Sequence, residues 1–340
     1  MINELNIAVV GATGAVGRAI VEILEERNFP VGELYLLASE RSAGQTILFK
    51  DKQVEVQDLA TFNFADADIA FFSAGSSVSE QYAPKAVAAK CLVIDNTSFY
   101  RYDDDIPLVV PEVNPHRIAD YKNRGIIANP NCSTIQMVVA LKPLYDAVGI
   151  SRINVATYQA VSGTGQQAIT ELVDQVTELL NGRPVKPQVY PEQIAFNVLP
   201  HIDEFQDNGY TREEMKMVWE TRKILEDETI QVNPTAVRVP VLYGHSEAVH
   251  VELKAPLTAK EARELLAKAP GVCVIDSPKK AQYPTPISHA TGHDEVFVGR
   301  IRQDISHPCG LNLWVVADNI RKGAASNAIQ IAEIYHRDYN

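Results

Sequence analysis

The sequence predicts an α/β protein: an N-terminal Rossmann-type dinucleotide-binding domain followed by an α+β domain with a mixed sheet. Three observations predict it. A glycine-rich turn joins the first strand-like run to the first helix-like run. Short apolar, β-rich runs then alternate with helical segments through the first third of the chain. Beyond residue 132 the rhythm changes to longer strands, long helices and a proline-rich stretch. Short continuous apolar strands separated by helices indicate a parallel sheet covered on both faces.

In order, "LNIAVV" is a short apolar strand, and "AVGRAIVEILEERN" carries Val16, Ile20, Ile23 and Leu24 at helical spacing. "ELYLLAS", "DIAFFSAG", "CLVIDNTS" and "GIIANPN" are further strands, with "EQYAPKAVAAK" a helix among them. "STIQMVVALKPLYDAVG" predicts a helix ending at Gly149, "ISRINVATYQAVSG" a longer strand, and "GQQAITELVDQVTELLNG" a second long helix stopped by Gly182. "RPVKPQVYPEQIAFNVLPHIDEF" predicts loop. "TREEMKMVWETRKILED" is a helix, and "AVRVPV", "HSEAVHVELKAP", "EVFVGRIRQD" and "GLNLWVVADN" are strands. The tail "IRKGAASNAIQIAEIYHRD" is an amphipathic helix that folds back on the first domain. The expected division is 1–131 plus 320–340 for one domain and 132–319 for the other.

At about 100–200 residues per domain, 340 residues suit two domains. The 46% hydrophobic and 22% charged content is that of an ordinary globular chain. A net charge of −12 argues against nucleic acid and anionic membrane as partners, so an anionic ligand must be drawn by local Arg and Lys. Cys91, Cys132, Cys273 and Cys309 are widely spaced with no CxxC pair, which argues against a zinc site and suits a reducing cytoplasm. No basic-then-apolar leader opens the chain, and no run approaches the roughly 18 apolar residues of a membrane span.

"VVGATGAVGRAI" places Gly11, Gly14 and Gly17 between a strand and a helix. The spacing is G-x-x-G-x-x-G rather than G-x-G-x-x-G, but the physics is shared: a tight turn, close backbone approach, and free helix N–H groups for a pyrophosphate. After the second strand, "LLASERSAGQ" offers Glu40 for ribose hydroxyls or Arg41 with Ser42 for a 2′-phosphate. These readings compete, with a lean to NADP. Ser73, Gly75 and Ser76 form a second small-residue turn at a strand end.

Cys132, in "NPNCST", precedes the capping types Ser133 and Thr134. A thiol there feels the positive end of a helix dipole, which favours thiolate, whereas Cys91 and Cys273 sit in apolar runs. A thiol nucleophile needs a proton acceptor. Of the eight histidines, His245 follows Gly244 at a turn between strands; His289 and His293 compete with it, and His250 sits in mid-strand.

"GATGAVG", "NPNCST", "YQAVSGTG", "EEMKMVWET", "RVPVLYGHSE" and "ADNIRKGAA" occur in the order of the aspartate-β-semialdehyde dehydrogenase family, and the chain resembles that family from about residue 7 to its C-terminal helix. The resemblance implies Cys132 as acyl-thioester nucleophile, His245 as general acid/base near its natural pKa, and Gln159 as the residue that orients substrate. It implies Arg238 on the substrate carboxylate, Glu213 on its amino group, and Lys216, Arg101 and Asn131 around phosphate. For the cofactor, NADP(H), it implies Gly11, Thr13, Gly14, Ala15, Val16, Arg41, Ser42, Ser73, Gly75, Ser162, Gly163 and Asn319. It also implies cofactor binding by 1–131 plus 320–340, an α+β catalytic and dimerisation domain at 132–319, a homodimer, no metal, and a reversible conversion of aspartyl phosphate to aspartate semialdehyde. Without the resemblance, Glu213 and Lys216 are an ordinary i,i+3 surface pair. N-acetyl-glutamyl-phosphate reductases share the chemistry but resemble "NPGCYPT" at the cysteine. A silent NADP-binding paralogue would have lost Cys132 or His245.

Overall fold

The computed structural model describes residues 4–339. They form two compact units, one running to Asn131 and resuming at Ala324, the other Cys132–Gly323.

The first unit is built on β1 (Leu5–Val10), α1 (Ala15–Glu26), β2 (Val31–Ala38), β3 (Thr46–Phe49), β4 (Lys52–Asp58), β5 (Ile69–Phe72), α2 (Ser76–Ala88), β6 (Leu92–Asp95) and β7 (Ile126–Ala128). The sheet order is β3-β4-β2-β1-β5-β6-β7, parallel except for the β3–β4 hairpin. β5 and β6 are buried along their whole length, as central parallel strands must be when both faces are covered. The strand order reverses beside β1, and the carboxyl ends of β1, β2 and β5 open there, where nucleotide sites form in such sheets. The β3–β4 hairpin was not anticipated. Its two-residue turn is Lys50-Asp51, both at positive φ (47° and 63°), without the Asn-Gly or Asp-Gly signature that marks such turns.

The second unit comprises α3 (Cys132–Val148), β8 (Ile150–Gln159), α4 (Gln166–Leu180), α5 (Arg212–Leu225), β9 (Gln231–Arg238), β10 (His245–Leu253), α6 (Ala259–Leu266), β11 (Val272–Val274), β12 (Val296–Gln303) and β13 (Gly310–Ala317). Its sheet, β11-β12-β13-β10-β8-β9, is mixed: β8–β9 and β11–β12 are parallel and the other pairs antiparallel. α3 packs across β8, β10, β12 and β13, with α5 against β9 and α6 against β11 and β12. α3 is almost wholly buried from Ser133 to Leu141, which explains its apolar run. α6 was missed, although Thr258 and Glu261 form a reciprocal capping box that the sequence displays.

The return to the first unit, α7 (Ser326–Asp338), packs on α1 and β6. The division falls after Gly323 rather than at 320. Asp318 holds the intervening turn: its side chain accepts from Ile320 N–H (2.8 Å) and Arg321 N–H (3.1 Å), and its carbonyl accepts from Gly323 N–H (3.0 Å).

Candidate active site

In the second unit Cys132 is the first residue of α3 and is partly exposed. Gly323 lies against it. A Cβ built on Gly323 would sit 2.8 Å from Cys132 Cβ, so only glycine permits this approach. Burial pushes Cys91 up to about 12 and also raises Cys273.

His245 opens β10 directly after Gly244, whose φ of +86° and whose Cβ position, 2.9 Å from Pro286 Cβ, both require glycine. The imidazole is fully buried. Its Nδ1 accepts from Ala160 N–H at 3.0 Å, which assigns the proton of the neutral ring to Nε2. Nε2 itself has no partner. Burial, and secondarily the nearby Arg238 charge, pull the ring down to about 3, with Glu213 opposing. The expectation of an imidazole near its ordinary value is therefore corrected: His245 is neutral at physiological pH because protonation would bury a second cation beside Arg238. The competing histidines have structural partners. His289 Nδ1 accepts from Thr285 N–H (3.2 Å), His293 packs edge-on to Phe297, and His250, on the opposite face of β10, pairs with Asp304 at 2.7 Å.

A buried polar seam adjoins this ring. Arg238, the last residue of β9 and 5% exposed, donates from Nη1 to the Ala160 carbonyl at 2.7 Å and lies over the Tyr190 ring. Its Nε has no partner. Gly163 closes over both groups: a Cβ there would sit 3.2 Å from Arg238 Nη1 and 3.5 Å from His245 Nε2. Gln159 donates to Glu213 Oε1 and to Thr157 Oγ1, each at 3.3 Å. Lys216 Nζ bridges Glu213 Oε2 (3.0 Å) and Asp203 Oδ2 (2.7 Å). Burial disfavours its charge, but the two carboxylates outweigh that and raise its pKa. The surface i,i+3 alternative is thereby excluded, since Glu213 is 5% exposed. Sequence reasoning missed Asp203, which lies in the irregular stretch before α5.

Asn319 ties two further predicted residues together. Its Oδ1 accepts from Gly244 N–H (2.9 Å) and its amide bonds Ser162 Oγ (3.0 Å).

In the first unit the glycine loop takes the expected strand–turn–helix form. Gly11 has φ +89°, Gly14 caps α1, and a Cβ on Gly17 would lie 2.2 Å from the Gly11 carbonyl oxygen. A cleft of about 570 Å³ is lined by Gly11, Thr13, Gly14, Ser73 and the Glu40–Ser42 turn, so Glu40, Arg41 and Ser42 all face it. Ala15 and Val16 open α1, and Gly75, at φ +98°, caps α2; these three line no part of the cleft. Asp58, Ala60 and Tyr82 do line it and were not anticipated. Arg101 is 6% exposed, with Nη2 donating to the Asn96 carbonyl at 2.8 Å. Its loop is anchored by buried Asp95, which accepts from Thr97 N–H and Ser79 Oγ, each at 2.9 Å. Asn131 is buried at the end of this unit. The cleft fits a dinucleotide: backbone approach is open at the glycines, and the first-turn N–H groups of α1 lack intrahelical partners.

Two family descriptions match the chain: "Semialdehyde dehydrogenase, NAD binding domain" over residues 6–121 and "Semialdehyde dehydrogenase, dimerisation domain" over 141–322. An aspartate-semialdehyde dehydrogenase of Legionella pneumophila is 72% identical over 339 residues, covering 100% of this chain and 98% of that protein. The crystal structure of aspartate semialdehyde dehydrogenase II from Vibrio cholerae, complexed with ASA, superposes with a TM-score of 0.98 at 58% identity, covering 99% of this chain and 100% of that one. The Candida albicans aspartate semialdehyde dehydrogenase structure with NADP gives a TM-score of 0.78 at 27% identity, covering 98% of each chain. With a glycine-loop cleft in one unit and a thiol at a helix start and a buried imidazole in the other, the chain belongs to the aspartate-semialdehyde dehydrogenase family of oxidoreductases.

Proposed function

We propose that this enzyme catalyses the reversible, NADPH-dependent reductive dephosphorylation of L-4-aspartyl phosphate to L-aspartate 4-semialdehyde through a thioester on Cys132. This step serves lysine, threonine, methionine and isoleucine synthesis. The observation that carries the reading is the backbone of Ala160. Its N–H orients His245 and its carbonyl holds Arg238, so one residue sets the imidazole against a carboxylate-binding guanidinium.

In the reductive direction Cys132 Sγ attacks the acyl carbon, the bond from that carbon to the phosphate oxygen breaks, and phosphate leaves. The family resemblance assigns Arg101, Asn131 and Lys216 to that phosphate. Arg238 takes the substrate carboxylate in bidentate fashion, Glu213 the amino group, and Gln159 orients the acyl carbon. His245 Nε2–H donates to the substrate oxygen as it gains negative charge, as a neutral imidazole held away from water can. Once the thioester carbon has gained hydride, the carbonyl re-forms as the aldehyde, the carbon–sulfur bond breaks and its electron pair returns to Cys132. NADPH, when bound, supplies the hydride. The glycine loop would hold its pyrophosphate, Arg41 and Ser42 its 2′-phosphate, and Ser162, Gly163 and Asn319 its nicotinamide end.

The Vibrio cholerae complex with ASA and the Candida albicans structure with NADP support the substrate and cofactor assignments. A homodimer formed through the second unit follows from the same family reading. A cytoplasmic location accords with four cysteines free of disulfides and with the absence, among the described residues, of any helix long and apolar enough to cross a membrane. The test is reduction of NADP by aspartate semialdehyde with and without phosphate, repeated with NAD and with N-acetylglutamate semialdehyde. Turnover independent of phosphate, or faster with the acetylated substrate, overturns the proposal.

A further inference from the structure

Glu247 is buried without a role in the chemistry above. It lies two residues beyond His245 on β10, on the same face, and is 0% exposed. Neither carboxyl oxygen has a hydrogen-bond partner. Its cross-strand neighbours are Thr157 on β8 and Val315 on β13. Gln136 approaches from α3, one turn after Cys132 and on the same helix face. Gln136 is also 0% exposed. Its Nε2 donates to the His245 carbonyl at 3.5 Å, and its Oε1 has no partner. Thus one amide links the nucleophile's helix to the imidazole's strand, and in the same buried layer both its oxygen and the Glu247 carboxyl are unsatisfied. An ionised carboxylate cannot satisfy an amide oxygen, because both only accept. A protonated carboxyl can.

We propose that Glu247 and Gln136 are positioning residues: the Glu247 carboxyl O–H donates to Gln136 Oε1, Gln136 donates to the His245 carbonyl, and the chain fixes α3, with Cys132 at its tip, against β10. Complete burial raises the Glu247 pKa well above the usual carboxylate range, and the nearby Gln136 amide opposes this only in part. Thr157 continues the chain sideways, because its hydroxyl accepts from Gln159. The seam therefore divides in two: Glu213, Lys216 and Asp203 carry charge, while Glu247, Gln136 and Thr157 are neutral and set distances.

The proposal rests on Cys132 as the nucleophile. Its test has one readout that needs no turnover, the pH dependence of Cys132 alkylation by iodoacetamide, followed in a background where Cys91, Cys273 and Cys309 are replaced by serine. The other readouts are steady-state kinetics and thermal melting. E247L should lose kcat by about tenfold or more with KM little changed, and its alkylation midpoint should move, because the thiol no longer meets a fixed imidazole. E247Q, isosteric and able to donate through its amide, should restore most of kcat and superimpose on the parent alkylation profile. Should E247L fail to fold, Q136L carries the same expectation. If E247Q shifts the midpoint by a full pH unit, the carboxyl acts through charge and the proposal falls. It also falls if E247L or Q136L keeps parental kcat. Absence of turnover in the parent enzyme with normal alkylation would instead refute the assigned reaction and leave the positioning role standing on the alkylation profiles.

Discussion

The two units solve recognition in opposite ways. The first presents its cleft through backbone: three glycines, a helix start, and the exposed Glu40–Ser42 turn. The second works through side chains withdrawn from water, with His245, Gln159, Glu213 and Arg238 all at 5% exposure or less. Backbone N–H groups keep their partial charge at any pH and need only an unobstructed approach. Buried side chains gain strength from a low dielectric, but each must be matched by a partner, because an unmatched one costs several times a normal hydrogen bond. The first unit should therefore be vulnerable to added bulk, and the second to lost polar atoms.

The largest effect expected is that of C132A: turnover in the phosphate-dependent assay falls to background while NADP still binds, since the cofactor cleft lies within the first unit. Retained turnover, or lost binding in a dye-displacement titration, would break the separation of roles.

His245 sharpens the same contrast. Removing its Nε2–H with H245A should lower kcat by about 10²–10³-fold, the usual cost of losing one preorganised donor to a developing oxyanion. H245Q, which keeps an N–H, should recover part of this. With the ring pulled down to about 3, it is neutral throughout the working range. Its protonation enters only as pH falls towards 3, so kcat should show no limb near 6.5 that H245A abolishes. Such a limb would mean that the ring titrates in the complex as an ordinary histidine. The sign also bears on stability. An unfolded histidine binds a proton below about 6.5 and the folded one does not, so this group erodes stability as pH drops from 6.5 towards 3.

The contrast also explains what was legible from sequence. The glycine loop, the thiol at a helix start and the alternation of strands are local signals, and the elements they predict are present. Pairing is not local. Lys216 was read with Glu213 because they share a helix turn, but Asp203, its second partner, lies thirteen residues upstream in a stretch without periodicity. His245 stood out by following a glycine, yet nothing in its neighbourhood foretold Ala160 as its partner or the depth of its burial. Glu247 sits between Ser246 and Ala248 in a strand, where an acid normally faces water; only the register of β8 and β13 on either side turns it inward. The β3–β4 hairpin stayed hidden because a Lys-Asp turn at positive φ carries no composition signal.

On the backbone side, G17A tests the claim about bulk. Its Cβ would fall 2.2 Å from the Gly11 oxygen and 2.8 Å from Ala12 Cα, both main-chain atoms that cannot swing aside. The loop must shift, at about 1–3 kcal/mol of folding stability by analogy with overpacked cores. KM for NADP should rise about tenfold or more while the rate of Cys132 alkylation stays unchanged. Equal effects on both would mean that the units are not separable in this way.

The smallest effect concerns the one choice the cleft leaves open. Glu40 and Arg41 both line it from the same short turn, and a carboxylate would favour ribose hydroxyls where a guanidinium favours a 2′-phosphate. If Arg41 holds the phosphate, R41A removes a charge-assisted contact of about 1.5–3 kcal/mol, which lowers kcat/KM for NADP by about 10–100-fold and leaves NAD nearly unchanged. The exposure of the turn places the loss at the lower end of that range and makes it smaller at high salt. E40A should then alter neither cofactor by more than about twofold, as an exposed loop charge does. The opposite pattern, with E40A weakening NAD and R41A silent, would assign the turn to ribose hydroxyls and make NADP preference a property of the rest of the cleft.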